Sequence, residues 1–315
     1  MTTRISCAAV TVALGLSVAL PIARLEGHWR REPDLLTPRS AHAVVAASDA
    51  IYVLGGTGVD GKPVPEVDRF DGKAWSRVSN LPGEGVNAPA AAAIGDTIFL
   101  IGGFGTTSNR PVTTVRRFST TTGTWGEAAP LPAPRGGHAA AVLAGRIHAV
   151  GGGNSMSTIA DHSVYDPATN RWTNAAPLPR SLGSPAAVVL DTTLYSVGGR
   201  SGPGDFGDVY IYDSARDTWT PGVPIDPRGT GGAAVLGTSI YYMGGESQAT
   251  GTILDDVWRL DARATSWARD ARMPTGRSFA RAVVFRGRIY VVGGSTTFGR
   301  SHASPGSVAV ESFGQ

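Results

Sequence analysis

Cysteine is almost absent: Cys7 stands alone in 315 residues. No disulfide can cross-link the chain internally, and no thiolate zinc spacing exists. Six scattered histidines supply none either. Lysine is nearly missing too, since only Lys62 and Lys73 stand among 28 basic residues. The arginines form no run longer than the pairs Arg30-Arg31 and Arg116-Arg117, and the formal net charge is only +3. That excludes the clustered basic footprint of a nucleic-acid binder. No long apolar stripe recurs at 3.6-residue spacing, so helix is a minor component. No Gly-x-Ser-x-Gly turn offers a nucleophilic serine.

Glycine is what the chain has in abundance, 42 residues, nearly twice the usual ~7%. With 42% hydrophobic and 17% charged residues, the composition is that of a globular chain built on many tight turns. The N-terminus differs in kind. Arg4 is followed by an uncharged stretch from Ile5 to Ala23 that ends in small residues. Residues 1–23 therefore read as a secretory signal, with cleavage after Ala19 or Ala23, or else as a retained anchor. Cys7 would leave with the signal. The expectation is an exported chain, periplasmic or secreted, whose folded part begins near residue 24. A membrane would be met only through an uncleaved N-terminus.

The glycines are periodic. "IYVLGG" at 51–56 returns as "IFLIGG", "IHAVGG", "LYSVGG", "IYYMGG" and "IYVVGG", with the first glycines at 55, 102, 151, 198, 244 and 293. Behind each of the first five pairs comes a large apolar residue (Phe70, Phe118, Tyr165, Tyr212, Leu260) and then a tryptophan (Trp75, Trp125, Trp172, Trp219, Trp267). Landmarks in phase at this period are the mark of a repeat architecture. A short run apolar on both faces is a strand sandwiched between sheets, and Gly-Gly ends it where torsions closed to side chains and a close backbone approach are needed. The rings fill the gap that widens between neighbouring sheets. Four short antiparallel strands per repeat, arranged radially, make a propeller blade.

The sixth unit has a third strand, "SVAVESF" at 307–313, but no tryptophan of its own. "GHWRREPDLLTPR" at 27–39 carries Trp29 without three strands ahead of it. An open ring would leave two sheet edges exposed. Trp29 is therefore expected to complete the last blade, giving an all-β, six-bladed propeller over 24–315, closed by its N-terminal strand and monomeric.

The hydrophobic run with Gly-Gly, the aromatic-Asp pairs Phe70-Asp71, Tyr165-Asp166 and Tyr212-Asp213, and the trailing tryptophan resemble kelch repeats. The resemblance covers the chain from about residue 24 to its end. It implies that the loops after strand two and the loops entering strand one surround one mouth of a central channel. Fold alone does not fix function. Copper radical oxidases of this type need a cysteine that signal removal would take away, and the nitrile-specifier iron motif Glu-x3-Asp-x3-His is absent. No cofactor and no metal are expected.

Sixteen residues before the Gly-Gly pairs stand Arg39, Val86, Arg135, Leu182, Arg228 and Arg277. Four arginines in register are either scaffold or, as in kelch proteins that bind acidic peptides, guanidinium groups for carboxylates. His42 and His138 share a repeated slot, which reads as packing before it reads as a general base or metal ligand. Directly after Gly-Gly come Thr57, Phe104, Gly153, Arg200, Glu246 and Ser295, different in every blade as a binding rim should be. Arg281 and Asn87 add two further candidates. The expected ligand-binding set is Arg39, Asn87, Phe104, Arg135, Arg200, Arg228, Arg277 and Arg281. The expected ligand is acidic: a small molecule, glycan or peptide held at the channel mouth without catalysis. The alternative is an exported, metal-free sugar epimerase resembling the sialic acid mutarotases, with Glu246 as its acid–base residue.

Overall fold

The computed structural model describes residues 27–83, 85–105, 109–299 and 304–314, so the expected signal over 1–23 lies outside the described residues. No residue described is helical. Six four-stranded antiparallel sheets follow one another around an axis. Blade one comprises Ala43–Ala47, Ala50–Leu54, Glu66–Phe70 and Trp75–Asn80. Its counterparts start their innermost strands at Ala90, Ala139, Ala186, Gly232 and Arg281.

Burial runs outward from the axis as the sequence pattern requires. Innermost strands are short, rich in alanine, and alternate between wall and channel. Second strands such as Ala50–Leu54 and Ser239–Met243 are buried throughout, which explains their unbroken apolar runs. Fourth strands face solvent except at the tryptophan, as in Trp75–Asn80.

Each Gly-Gly pair meets both demands placed on it. All twelve glycines have positive φ, between 55° and 122°, where a side chain is strained. A Cβ on the first glycine would come within 2.5–3.1 Å of a carbonyl oxygen from the next blade: Val86, Arg135, Leu182, Arg228, Arg277 or, closing the circle, Arg39. The second glycine donates its N–H to that same carbonyl at 2.8–3.0 Å in every blade. The run stops because the next blade docks there.

Tryptophans make a second circle on the outside. Trp75, Trp125, Trp172 and Trp219 each pair in register with their blade's aromatic landmark, ring centroids 4.9–5.1 Å apart. Each indole N–H then donates to the preceding blade: Trp125 to Ser79 Oγ at 3.0 Å, Trp172 to the Ala129 carbonyl, Trp219 to Ala176 and Trp267 to Val223, the last three at 2.8 Å. Trp29 behaves as the sixth member. His28–Arg31 pairs with Val310–Gly314, Trp29 sits opposite Phe313 with centroids 5.2 Å apart, and Nε1 donates to Ala271 at 2.8 Å. Trp75 closes the circle by donating to Pro33 at 2.9 Å.

Candidate functional site

The repeated arginines are scaffold. Arg39 lies buried inside blade one, where Nη1 donates to the Gly55 and Glu66 carbonyls at 3.3 and 2.9 Å and Nη2 meets Asp68 at 2.6 Å. Arg277 repeats this in blade six with Gly293, Ala309 and Glu311 at 2.9, 2.6 and 2.7 Å. Arg135 bonds the Asp161 carbonyl and Ser163 Oγ, and Arg228 grips both oxygens of Asp256. Burial draws the Arg39 guanidinium down to about 10 against the pull of Asp68 and Glu66. Arg39 and Arg277 tie the end of strand two to strand three of their own blade, Arg135 and Arg228 hold the segment at the start of strand three, and the backbone carbonyl of each receives the preceding blade. Arg39, Arg135, Arg228 and Arg277 therefore offer no surface to a ligand, which corrects the ligand-facing expectation for all four. His42 and His138 are likewise packed. They are held well below the usual histidine value, by burial first and then by neighbouring arginines. No group of three or more potential metal ligands occurs among the described residues.

The variable residues after Gly-Gly behave differently. Each bridges to the loop entering strand one of its own blade: Ser40 with Thr57, Asn87 with Phe104, Gly136 with Gly153, Gly183 with Arg200, Gly229 with Glu246 and Ser278 with Ser295. The two loop sets expected to share one mouth are thus hydrogen-bonded into one rim. Just inside it lies a ring of residues with left-handed φ: Ala41, Ala88, Gly137, Ser184, Thr230 and Phe279, at 48–63°. Their backbones join around the axis, Ala88 donating to Ala41, Gly137 to Ala88, Ser184 to Gly137, Phe279 to Thr230 and Ala41 to Phe279, at 2.7–3.2 Å.

Phe279 is the residue sequence reasoning missed. Its ring, 1% exposed, packs on Ala41 and Ala88 from two other blades, and Arg200 of blade four lies over its face at 5.3 Å. A ring touching blades one, two and four from blade six lies across the axis. The signal was available: its slot holds alanine, glycine, serine or threonine in the other five repeats.

Above that floor the rim brings some candidates together. Arg200 Nη1 meets Glu246 Oε1 at 2.9 Å, and Gln248 Nε2 reaches the same oxygen at 3.2 Å. Arg200 is placed by the longest hairpin among the described residues, Thr193–Ser201 against Gly204–Asp213, with a register shift between Val197 and Gly199 and Arg200 opposite Asp205. Glu246 is wholly buried; its burial, opposed mainly by Arg200, pushes the carboxyl up to about 7. A cavity of about 280 Å3 opens between blades two, three and four, lined among others by Phe104, Asn154, Ser157, Thr158, Ser184 and Arg200. Phe104 can sit there because Gly136 has no side chain; a Cβ would run into its ring. Asn87 lies beside this group and donates from Nδ2 to Thr57 Oγ1 at 2.8 Å, joining blades two and one. Arg281 is elsewhere, inside the channel.

A model of the KLHDC2/KLHL20/DRC7 Kelch-repeats domain matches residues 27–186 and 173–294. The chain belongs to the kelch-repeat family. It is 35% identical to Kelch-like protein terF of Aspergillus terreus over 106 residues, 30% of this chain and 23% of that protein. It is 30% identical to mouse Kelch-like protein 35 over 137 residues, 42% of this chain and 22% of that protein. The matches thus span less than a quarter of either relative's length. The solved structure of YjhT superposes with a TM-score of 0.75 at 17% identity, covering 89% of this chain and 96% of that one. That likeness is one of kelch fold, six blades closed in a ring, and it leaves the ligand to the site.

Proposed function

We propose that this kelch propeller is exported and binds an acidic glycan at the Gly-Gly mouth, in the cavity between blades two, three and four. One observation carries the reading: Phe104 and Arg200, from different blades and both at repeat-breaking positions, line the same cavity. An aromatic ring packs on the C–H face of a sugar, serine and threonine hydroxyls match its hydroxyl groups, and a guanidinium suits its carboxylate. At about 280 Å3 the space lies at the lower edge of small-molecule sites, which run from about 300 to 1,000 Å3. Export rests on the signal-like character of residues 1–23.

A second reading is favoured by Glu246. A mutarotase must take a proton from the anomeric hydroxyl and return one to the ring oxygen. A carboxyl near 7 holds both protonation states at neutral pH. Glu246 has no exposed surface, however, so binding stands first and catalysis second.

Titration calorimetry with N-acetylneuraminate and with galactose separates the cases. Binding of the acid alone, lost in Phe104→Ala, is the expected result. Binding of neither probe, or binding that survives Phe104→Ala, overturns this site. Anomer exchange followed by NMR tests catalysis: acceleration abolished by Glu246→Gln supports the second reading, and no acceleration removes it.

A further inference from the structure

The channel below Phe279 is lined by the innermost strands, and their first residues are Ala43, Ala90, Ala139, Ala186, Gly232 and Arg281. Five blades place the smallest side chains at this level of the tube and the sixth places the longest cation. All six line a cavity of about 100 Å3, and His138 of the opposite blade lines it with them. Below it the tube widens into about 300 Å3 walled by alanine and valine. Phe279 and the hydrogen-bonded ring separate both spaces from the mouth.

Arg281 has no carboxylate partner among the described residues; its hydrogen bond there, a long one of 3.4 Å, runs to the adjacent Ala280 carbonyl. Arg281 is only partly buried, and the contrast with the buried arginines is sharp, since Arg39, Arg228 and Arg277 each hold an acidic side chain at 2.6–2.7 Å. His138 is 3% exposed and neither ring nitrogen has a hydrogen-bond partner. A neutral imidazole carries one N–H, so the cavity holds two kinds of donor, a guanidinium and an imidazole, and no acid. A cation drawn partly out of water favours a counter-charge, and a buried donor such as His138 needs an acceptor.

The geometry points to a small-anion site inside the channel, in which Arg281 and His138 hold a free monovalent anion of halide or formate size. The volume sets the class. It takes an ion with at most a water or two and is too small for a sugar or a peptide terminus. The far end of the tube is the route of entry, because Phe279 closes the near end. The site is independent of whatever the mouth binds.

The test measures thermal unfolding of the full protein in sodium bromide and in sodium gluconate at equal ionic strength. Gluconate is too bulky for the cavity. For an anion site of millimolar affinity, 100 mM bromide should raise Tm by about 5–11 °C over gluconate. Arg281→Met should abolish the difference and His138→Leu should reduce it, while Phe104→Ala leaves it intact. Equal Tm in the two salts, or the same difference in Arg281→Met, overturns the site. So does loss of the difference in Phe104→Ala, which would put the anion at the mouth. If Arg281→Met does not fold, anomalous diffraction from bromide-soaked wild-type crystals decides. A peak between Arg281 and His138 supports the site; none there overturns it.

Discussion

Trp29 lies near the start of the described chain, where substitutions are ordinarily mild, yet the structure gives it the duties of a blade tryptophan. Its indole is half-buried against Phe313 and donates to Ala271 of blade five at 2.8 Å. Trp172 is its counterpart in blade three, also half-buried, opposite Tyr165 and donating to Ala129 at 2.8 Å. Deleting a fully buried tryptophan side chain costs ~3–5 kcal/mol. With part of the ring in solvent and a hydrogen bond of ~1 kcal/mol lost, roughly 2–4 kcal/mol is expected for Trp29→Ala and for Trp172→Ala alike. At about 2–4 °C per kcal/mol for a chain of this size, both variants should melt about 5–15 °C below the wild type. Truncation to begin at Thr37 should cost more. It removes four cross-strand pairs, the Glu32 and Leu35 amide bonds to Val310 and Val308, and the Pro33 carbonyl that Trp75 uses. It also bares the Val310–Gly314 strand, whose free edge invites aggregation. Circular dichroism melts and light scattering read both effects. If Trp29→Ala melts with the wild type while Trp172→Ala does not, or if the truncated chain melts like the full one, the closure argument is wrong.

Arg277→Met should lose about 3–5 kcal/mol by leaving Glu311 buried with only the Thr275 hydroxyl at 3.1 Å and the exposed Arg31 at 4.0 Å as partners. The double variant Arg277→Met, Glu311→Leu should recover much of that in urea titrations; equal losses in the single and double variants would contradict the scaffold assignment. Four buried histidines have folded values below the usual one, His148 and His162 drawn down to about 4. The unfolded chain therefore binds more protons, and stability is complete above pH ~6.5 and falls as pH drops towards 4. Glu246, pushed up to about 7, acts in the opposite sense over its own window, so Glu246→Gln should steepen the loss. A Tm that does not change between pH 7 and 5 would refute this. Gly136→Val should displace the Phe104 ring and abolish N-acetylneuraminate binding in calorimetry; unchanged binding would show that the ring's seat does not matter.

The architecture was legible because each landmark does the same job in every repeat. Gly-Gly receives the next blade, the aromatic and tryptophan fill the gap between sheets, and Trp29 was identifiable as the piece the sixth unit lacked. The repeated arginines were not decidable from sequence. A guanidinium in register suits an acidic ligand and a scaffold equally, and the partners that settle it, Asp68, Asp256 and Glu311, lie 28–34 residues downstream. Burial was equally hidden for Glu246, which the sequence puts on a rim and the structure puts behind it. Arg281 was singled out without its setting. Only the closed ring shows that its slot faces the axis at a level where every other blade is small.

The rim also shows why a structural duty and a ligand contact can coincide at one residue. Backbone bonds join the inner ring at five junctions. No corresponding bond joins Thr230 to Ser184 among the described residues, and that junction lies between blades four and five. Arg200 and Glu246 come from those same two blades, and their ion pair at 2.9 Å spans them. The irregular hairpin that lifts Arg200 over Phe279 belongs to blade four as well. Arg200→Gln would therefore strip both a ligand contact and an inter-blade tie, and would leave the Glu246 carboxyl without its main charge partner. Loss of binding in that variant could come from either cause. Phe104→Ala removes a ring from the same cavity and leaves the Arg200–Glu246 ion pair in place, and for that reason Phe104, not the arginine, isolates the binding step.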